Sequence, residues 1–370
     1  MGLHWGMEPL SQLVPEYILA RIQEAQVDPH VPTKETDRVR FLNGQTGELI
    51  KEIDSSKFYR LRRDKLRRLL LTDMEDGVEI HWGRTVEGIE YSSDGQTVTC
   101  RFAEGGSDTG LALMATDGPH STLRSLLLLD GVAATTTPID YAATMCLTRH
   151  TREHALFLRS PPHHPLYQAA PHPKGYCAWL SLLDGDDKEH PENWTFFHYI
   201  SWKEGRDEIN PRRTLQEHVA HIKTLGSEFV DPWCSVFAWM PDDCQQVTYA
   251  KMHHWDPSLP EHRWDNHQGR VTLAGDAAHP MTPQRGQGLN HAIQDAFTLC
   301  QAIQNFWPHR RDPSFMDARH AAISRYEAEM IERTGAEVRL SAQTAVAMHD
   351  WSKLMESPSF KRGLHVEQQS

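Results

Sequence analysis

One carboxylate that is followed by glycines is the feature of this sequence best suited to chemistry. Asp276 comes shortly after Val271–Leu273, a short apolar run that predicts a buried strand. Gly286 and Gly288 follow in a loop that also contains two prolines, and from Asn290 onward apolar residues recur at helical spacing. The segment is therefore predicted to run strand, glycine-rich turn, helix.

This arrangement favours an electron-rich ligand in front of the predicted helix. The first amides of a helix have no intrahelical acceptor, and the helix dipole adds partial positive charge there. Because Gly286 and Gly288 have no Cβ atom, a flat ligand could approach their backbone closely. Ionised Asp276 would accept hydrogen bonds from sugar-like hydroxyls. A tight connection with an exposed Asp explains the same pattern equally well, so the residues alone leave both interpretations open.

The segment Gly275–Ala296 resembles the second FAD-binding motif of the group A flavoprotein monooxygenases, the para-hydroxybenzoate hydroxylase-like family. The matching residues are Gly275, Asp276, Ala277, His279, Pro283, Gly286, Gly288, Asn290 and Asp295. The resemblance implies that Asp276 binds the ribityl chain of FAD. It also implies that the pyrimidine side of the flavin ring, where negative charge gathers on reduction, lies against Gly286, Gly288, Leu289 and Asn290.

Two upstream segments add to the resemblance. Residues 117–124 read D-G-x-x-S-x-x-R, which is similar to the DG motif of the family, and this implies that Asp117 lies near the FAD pyrophosphate and bears on NAD(P)H use. Residues 63–66 match an R-x-x-L pattern at an amphipathic helix, which implies that Arg63 contacts FAD. The exposed face of a helix would account equally well for the neighbouring Arg60, Arg62, Arg67 and Arg68.

The elements that must position these motifs predict an α/β fold. The resemblance implies an incomplete FAD-binding Rossmann domain of the glutathione-reductase type, with an inserted β-sheet substrate domain and C-terminal helices. Residues 1–131 would form the first part of the FAD-binding domain, without its N-terminal βαβ unit, and residues 132–264 the substrate domain. Residues 265–350 would form the second part with the closing helices, and residues 351–370 a polar tail. Polar turns are predicted up to Ser56, and strands at 78–82, 86–91 and 98–102.

Aromatic residues alternate along Trp194–Trp202 and could wall a pocket for a flat organic substrate, or form a packed core. The resemblance implies an FAD-dependent monooxygenase, in which NAD(P)H reduces the flavin and one oxygen atom of O2 passes to an aromatic, indole or polyketide-like small molecule. A base that deprotonates a phenol-like substrate would assist this reaction. His198, Tyr199 and His279 are candidates, although each also fits a satisfied core residue, and no catalytic residue is assigned.

Composition narrows the classes of partner. The 370 residues include 50 Asp and Glu against 38 Lys and Arg, a net charge of -12, which argues against nucleic acid as a general partner. The six cysteines lack C-x-x-C spacing, so neither a disulfide framework nor a metal site is predicted, and a cytoplasmic protein is expected. No apolar run approaches the roughly 18 residues that a membrane-spanning helix requires.

The sequence departs from the family at its start. The family begins with a G-x-G-x-x-G turn, which this sequence does not contain, and residues 1–30 instead resemble the part that follows that turn. Three interpretations stay open at this point. The chain is a shortened form of an ordinary monooxygenase, a degenerate homologue without tight FAD binding, or a protein that keeps the pocket for binding or redox-neutral work.

Overall fold

The computed structural model describes residues 1–72, 74, 77–161, 163, 166–205 and 214–363. The strands in these ranges are β1 (Gly2–Leu3), β2 (Thr36–Leu42), β3 (Leu49–Ser56), β4 (Tyr59–Arg60), β5 (Val86–Tyr91), β6 (Val98–Phe102), β7 (Ser107–Gly110), β8 (Leu113–Ala115), β9 (Thr137–Thr148), β10 (Tyr167–His172), β11 (Tyr176–Asp184), β12 (Thr195–Lys203), β13 (Val247–His254) and β14 (Val271–Leu273). The α-helices are α1 (Met7–Leu13), α2 (Glu16–Leu19), α3 (Arg63–Leu70), α4 (Thr122–Leu128), α5 (Gly131–Ala134), α6 (Arg152–Arg159), α7 (Leu215–Gly226), α8 (Trp233–Ala238), α9 (Gly288–Phe306), α10 (Phe315–Met348) and α11 (Pro358–Arg362). The fold is α/β, as predicted.

A seven-stranded sheet forms the larger layer, in the order β13-β9-β12-β11-β10-β2-β3. Its neighbouring strands are antiparallel except β10 and β2, which are parallel. One face, with Phe196 and Ile200 of β12, packs on α7 and α8. The opposite face carries Tyr199 of β12 and Met252 of β13, and it packs against Ala345 of α10. Because side chains alternate along a strand, neighbouring residues of β12 lie on opposite sides of the sheet.

The hairpin of β2 and β3 corrects the sequence analysis, which predicted polar turns up to Ser56. Val39, Phe41 and Ile53 are buried and form part of the core. Charged residues occupy the alternate positions of β2, including Arg38 and Arg40, whose side chains reach acidic residues of β3. These charges conceal the period of two in a segment that propensity alone assigns to loops.

A second unit carries the strand that ends before Asp276. β14 pairs in parallel with β8, from Val271 opposite Leu113 to Leu273 opposite Ala115. α9 and α10 pack beside this pair, with Leu273, Leu299 and Ile323 in one core. Parallel pairing places the carboxyl ends of β8 and β14 at the same edge, so the segments that follow them are brought together.

The outlying segments agree with the sequence analysis only in part. β5 and β6 form the predicted hairpin, joined through Gly95 at φ 76°. Residues 78–82, predicted as a strand, have no regular structure, and Trp82 is 66% exposed. The expected polar tail is folded as far as Gly363, since Phe360 of α11 is buried against Phe41 with ring centroids 4.9 Å apart. Residues 364–370 of that tail lie outside the described residues. No helix among the described residues is long and apolar enough to cross a bilayer.

Candidate functional site

The corner after β14 presents an uncommitted carboxylate. Gly275 has φ 58°, a left-handed conformation, and begins a 3-10 turn, Gly275–Ala277. The half-buried Asp276 accepts no hydrogen bond from any residue that the structure describes. A Cβ atom built on Gly288 would stand 3.8 Å from Asp276 Oδ1, so the carboxylate lies in front of the first turn of α9. An acceptor in this position is free to bind a ligand hydroxyl.

The loop before α9 leaves room for a flat ligand. Gly286 adopts φ 66°, and apart from its two chain neighbours no described residue has an atom within 4 Å of the position that a Cβ would occupy there. The first amides of any helix have no intrahelical acceptor. α9 begins at Gly288 without a side-chain cap, so no capping side chain accepts from them either. Open space and unpaired amides coincide at this turn, which fits an aromatic ring that carries partial negative charge.

A buried ion pair holds the loop in place. Arg285 Nε donates to Glu337 Oε1 of α10 at 2.5 Å, and Arg285 Nη1 donates to the carbonyl oxygen of Gly363 at 3.3 Å. Burial raises the pKa of Glu337, and the neighbouring Arg285 acts in the opposite direction. This pair fixes the residue immediately before Gly286, so the open turn is supported from behind by α10 and by the C-terminal segment.

Asp295 of α9 fixes the corner from behind. Its Oδ2 accepts from the amide of Gly275 at 2.7 Å and from His279 Nε2 at 2.6 Å, and its Oδ1 accepts from Arg333 Nη2 at 2.8 Å. Burial alone would raise the pKa of Asp295, but His279 and Arg333 outweigh burial through their charges and hydrogen bonds and lower it. His279 therefore helps to hold the corner, and its side chain is fully buried with Nε2 hydrogen-bonded to Asp295.

Asn290 is committed to the protein's own N-terminal segment. Its Oδ1 accepts from the amides of His4 at 3.0 Å and Gly6 at 3.1 Å. Its Nδ2 donates to the carbonyl oxygen of Gly2 at 3.2 Å and to His4 Nε2 at 3.0 Å. The contact of Asn290 with the flavin stays a prediction, and its backbone amide is the group that could make it. Leu289 is half-buried and packs against the core beside β1 and α1, so it too offers its amide rather than its side chain.

Arg63 and Asp117 differ in whether their side chains bind other residues of the protein. Arg63 is exposed at the start of α3 and makes no hydrogen bond or ion pair with any described residue. Asp117 accepts from Ser121 Oγ at 2.5 Å and from the amide of Leu123 at 3.1 Å, so its carboxylate stabilises the start of α4. Arg63 is thus a free cation, whereas Asp117 has an internal structural role.

Arg124 of the D-G-x-x-S-x-x-R segment is a functional residue that the sequence analysis did not single out. Its side chain is 2% exposed, and its Nη1 donates to the carbonyl oxygen of Ala277 at 2.8 Å. Its Nη2 donates to the carbonyl oxygen of Pro119 at 2.6 Å. The guanidinium therefore joins the loop after β8 to the corner beside Asp276. The D-G-x-x-S-x-x-R pattern contained this signal, because Arg124 is its last residue.

The candidates His198 and Tyr199 lie on opposite faces of the large sheet. His198 Nε2 is hydrogen-bonded to Thr148 Oγ1, and its ring lies 6.3 Å from that of Phe237 in α8. Burial lowers the pKa of His198 well below its usual value, so it is a neutral core residue and is corrected as a candidate base. Tyr199 lies on the other face, where its hydroxyl accepts from Gln284 Nε2 at 3.2 Å. Tyr199 thus contacts the loop that precedes Gly286.

The face that carries Tyr199 also carries buried polar atoms without a protein partner. Three such atoms at this face make no hydrogen bond within the described ranges: Tyr167 Oη, Arg60 Nε, and Oε1 of Gln284, the residue that contacts Tyr199. Nearly all buried polar groups in folded proteins are paired, so unpaired atoms at a site indicate groups that a ligand or water satisfies. Aromatic rings lie beside them, with Tyr167 stacked on Trp179 at 5.8 Å between centroids.

Comparison with known proteins yields relatives that match nearly the whole of this chain. A family described as "FAD binding domain" matches residues 238–334, which include the corner, the loop and most of α9 and α10. The chain is 32% identical to the FAD-dependent monooxygenase phnB of Penicillium herquei, over 98% of this chain and 84% of that protein. It is 31% identical to the FAD-dependent monooxygenase cctM of Talaromyces islandicus, over 98% of this chain and 86% of that protein.

A solved structure has a similar fold. Klebsiella pneumoniae HpxO, complexed with FAD and uric acid, superposes with a TM-score of 0.70 at 20% identity, covering 98% of this chain and 82% of that one. This likeness confirms the predicted architecture, an FAD-binding fold of Rossmann type with a β-sheet domain and C-terminal helices. The individual site residues are not tested by the comparison and stay predictions.

Proposed function

Because the chain belongs to the FAD-dependent monooxygenases, we propose that it uses NAD(P)H and O2 to hydroxylate or epoxidise an aromatic, indole or polyketide-like small molecule of secondary metabolism. The relatives named above support this proposal over nearly the whole chain. The observation that carries it is the free carboxylate of Asp276 in front of the uncapped start of α9, with open space at Gly286. The substrate domain proposed for residues 132–264 supplies most of the large sheet.

The corner and the loop have the chemistry to hold the flavin half of FAD. Asp276 would accept from a ribityl hydroxyl, and the amides of Gly288, Leu289 and Asn290 would lie along the pyrimidine edge of the ring. The amide of Gly286 already donates to the carbonyl oxygen of Pro283, so Gly286 would offer its open backbone surface to the ring. The free cation of Arg63 suits the pyrophosphate, and we place Asp117 near that group with its carboxylate facing α4. When bound, FAD supplies the uptake of electrons from NAD(P)H, the activation of O2 and the oxygen that is transferred.

The protein's own residues would bind and orient the flavin and the substrate and shield them from water. The start of α9 would stabilise negative charge on the pyrimidine edge of a bound flavin, because the positive end of the helix dipole and the free amides lie at that end of the helix. Trp179, Tyr167 and Tyr199 would exclude water from the substrate. Burial raises the pKa of Tyr199, so its hydroxyl stays protonated at neutral pH and can donate a hydrogen bond rather than act as a base. No side chain near the corner is required as a nucleophile.

The proposal is tested by following the oxygen atom. The purified chain is loaded with FAD, and NAD(P)H oxidation is measured with isotopically labelled O2 over a panel of hydroxylated aromatic acids and naphthols. We expect FAD-dependent NAD(P)H oxidation that at least one of these compounds accelerates, with one labelled oxygen atom in the product. A folded protein that takes up no FAD, or whose products contain oxygen only from water, would refute the proposed activity.

A further inference from the structure

The basic run of residues 60–68 leaves one of its cations free. The other basic side chains of this run have partners within the described ranges: Arg60 binds Ser181, Arg62 and Arg68 bind Asp64, Lys65 binds Asp186, and Arg67 lies over the ring of Trp82 with its Cζ 4.4 Å from the centroid. Arg63 is exposed and makes no hydrogen bond or ion pair with a described residue. The protein therefore uses the neighbouring charges for its own structure and keeps the charge of Arg63 available.

Two aspartates at the end of β11 hold α3 on both sides of Arg63. Asp184 is the last residue of β11, and its Oδ2 accepts from Nη1 of Arg62, the residue before Arg63. Asp186 follows two residues later, and its Oδ1 accepts from Nζ of Lys65, two residues after Arg63. We call Asp184, Asp186, Arg62 and Lys65 the aspartate clamp. The clamp joins α3 to a strand of the large sheet.

The loop that carries the two aspartates is itself fixed by hydrogen bonds. The amide of Gly185 donates to the carbonyl oxygen of Val27 at 2.7 Å, and Nε2 of His30 donates to the carbonyl oxygen of Asp186 at 2.8 Å. The amide of Asp186 donates to Asp184 Oδ1 at 3.2 Å, which orients that carboxylate towards α3. The carboxylates of the clamp are therefore held in place before they meet their cations.

The clamp and the apolar face of α3 together set the direction of Arg63. Successive residues of an α-helix are about 100° apart around its axis, so Arg63 and Lys65 lie about 200° apart, on opposite sides of α3. Leu66 belongs to one buried core with Ile293 of α9. The side chains of Arg62 and Lys65 are 21% and 13% exposed, so solvent screens their ion pairs less than it screens fully exposed pairs. A helix held in this way cannot turn about its axis, and Arg63 keeps one direction.

We propose that Asp184 and Asp186 are positioning residues for the cofactor, which hold α3 so that Arg63 meets the pyrophosphate of FAD. This inference rests on the proposed function, in which Arg63 binds that group. Ordering a mobile segment on binding costs affinity, whereas a segment that is already fixed loses only the freedom of the binding side chain. Without the clamp, FAD would have to order the start of α3 when it binds, and the contact with Arg63 would contribute less to affinity.

The test compares FAD with riboflavin on the full chain, with dissociation constants measured by quenching of flavin fluorescence. Riboflavin has the flavin ring and the ribityl chain but no pyrophosphate, so it does not use Arg63. We expect the double variant Asp184→Asn/Asp186→Asn to bind FAD about 3- to 10-fold more weakly and riboflavin as tightly as the wild type. A purely structural role would weaken the binding of both ligands alike, and circular dichroism checks that the variant is folded.

A double-mutant cycle with Arg63→Gln assigns the effect to Arg63. That substitution alone should weaken FAD binding by about 10- to 100-fold, as the loss of a charge-assisted hydrogen bond requires. In its background, removal of both aspartates should cause no further loss, because the clamp acts only through Arg63. Asp184→Glu/Asp186→Glu keeps both charges and should retain part of the affinity. Glu189→Gln, which removes an exposed carboxylate from the same loop, is the matched control and should change neither dissociation constant.

Several outcomes would overturn this inference. They are equal FAD affinities in the wild type and in the variant without both aspartates, equal losses for FAD and riboflavin, and additive losses in the cycle. The cycle decides by itself if riboflavin binds too weakly to titrate. A failure of the proposed function gives a different result, because FAD then binds with the expected dependence on the clamp while no labelled oxygen reaches a product. A wild-type chain that binds no FAD would overturn both proposals.

Discussion

Replacing Asp295 tests whether the corner that carries Asp276 is held by buried charge. Asp295 has 0% exposure and accepts from Gly275, His279 and Arg333. Asp295→Asn keeps the shape of the side chain but removes its charge. Both oxygens of Asp295 accept hydrogen bonds, so the NH2 group of the asparagine would face a donor in place of an acceptor. Breaking a buried ion pair from one side costs about 3 to 5 kcal/mol. Arg333 would keep only the exposed Glu329 as a counter-ion, so the lower end of this range applies. We therefore expect the free energy of unfolding to fall by about 3 kcal/mol or more.

The pH dependence of the same variant gives a second prediction with a defined sign. The pKa of Asp295 is lowered in the folded protein, so its contribution to stability is complete above the unfolded pKa of about 3.9. That contribution is lost as pH falls below this value towards the folded pKa. The unfolding free energy of the wild type should therefore decrease more steeply below about pH 4 than that of Asp295→Asn.

The assay is urea unfolding of the chain followed by tryptophan fluorescence and far-ultraviolet circular dichroism. Glu332→Gln is the matched control, since it neutralises an exposed carboxylate of α10 and should change the free energy of unfolding by less than about 0.5 kcal/mol. If Asp295→Asn unfolded within about 1 kcal/mol of the wild type, with the same dependence on pH, the corner would not depend on this network and the reasoning would be refuted.

Three further predictions follow from the geometry of the site. Gly286→Ala places a side chain at a backbone φ of 66° and in the open space of the loop. The affinity for FAD, measured by fluorescence titration, should therefore fall. The free energy of unfolding, measured in urea, should drop by about 1 kcal/mol. Asn290→Ala removes the bonds to residues 2–6, and limited proteolysis should then cut that segment faster; an unchanged cleavage rate would contradict the assigned role. His198→Gln should leave the pH profile of NAD(P)H oxidation unchanged, because His198 lies on the far face of the sheet.

The motifs were predictable because their chemistry depends on residues that are close in the sequence. The strand at Val271–Leu273, the glycine turn and α9 all appear in the structure, since an apolar run, two glycines and a period of 3.6 predict them directly. The contact between the D-G segment and the corner was not predicted, and the structure explains it by two parallel strands that end at one edge. The roles of individual residues at these motifs followed from the resemblance and stay predictions.

The remaining details depend on contacts between distant segments, which spacing along one chain does not contain. Asn290 is hydrogen-bonded to the segment of residues 2–6. His279 is hydrogen-bonded to Asp295, which also binds Arg333 of α10. Arg60 was grouped with its exposed neighbours because sequence places it in a basic run, whereas the backbone of β4 turns its side chain towards Ser181. His198 and Tyr199 could have been separated, because a strand sends adjacent side chains to opposite faces.

The dissociation constant of FAD for the wild type and for Asp276→Ala tests the central claim most directly. Quenching of FAD fluorescence on binding gives both values, and circular dichroism confirms that the variant is folded. Loss of a hydrogen bond to a charged acceptor costs about 1.5 to 3 kcal/mol, so the account predicts that FAD binds about 10- to 100-fold more weakly to the variant. Equal dissociation constants for the two proteins would contradict the claim that the carboxylate in front of α9 holds the cofactor.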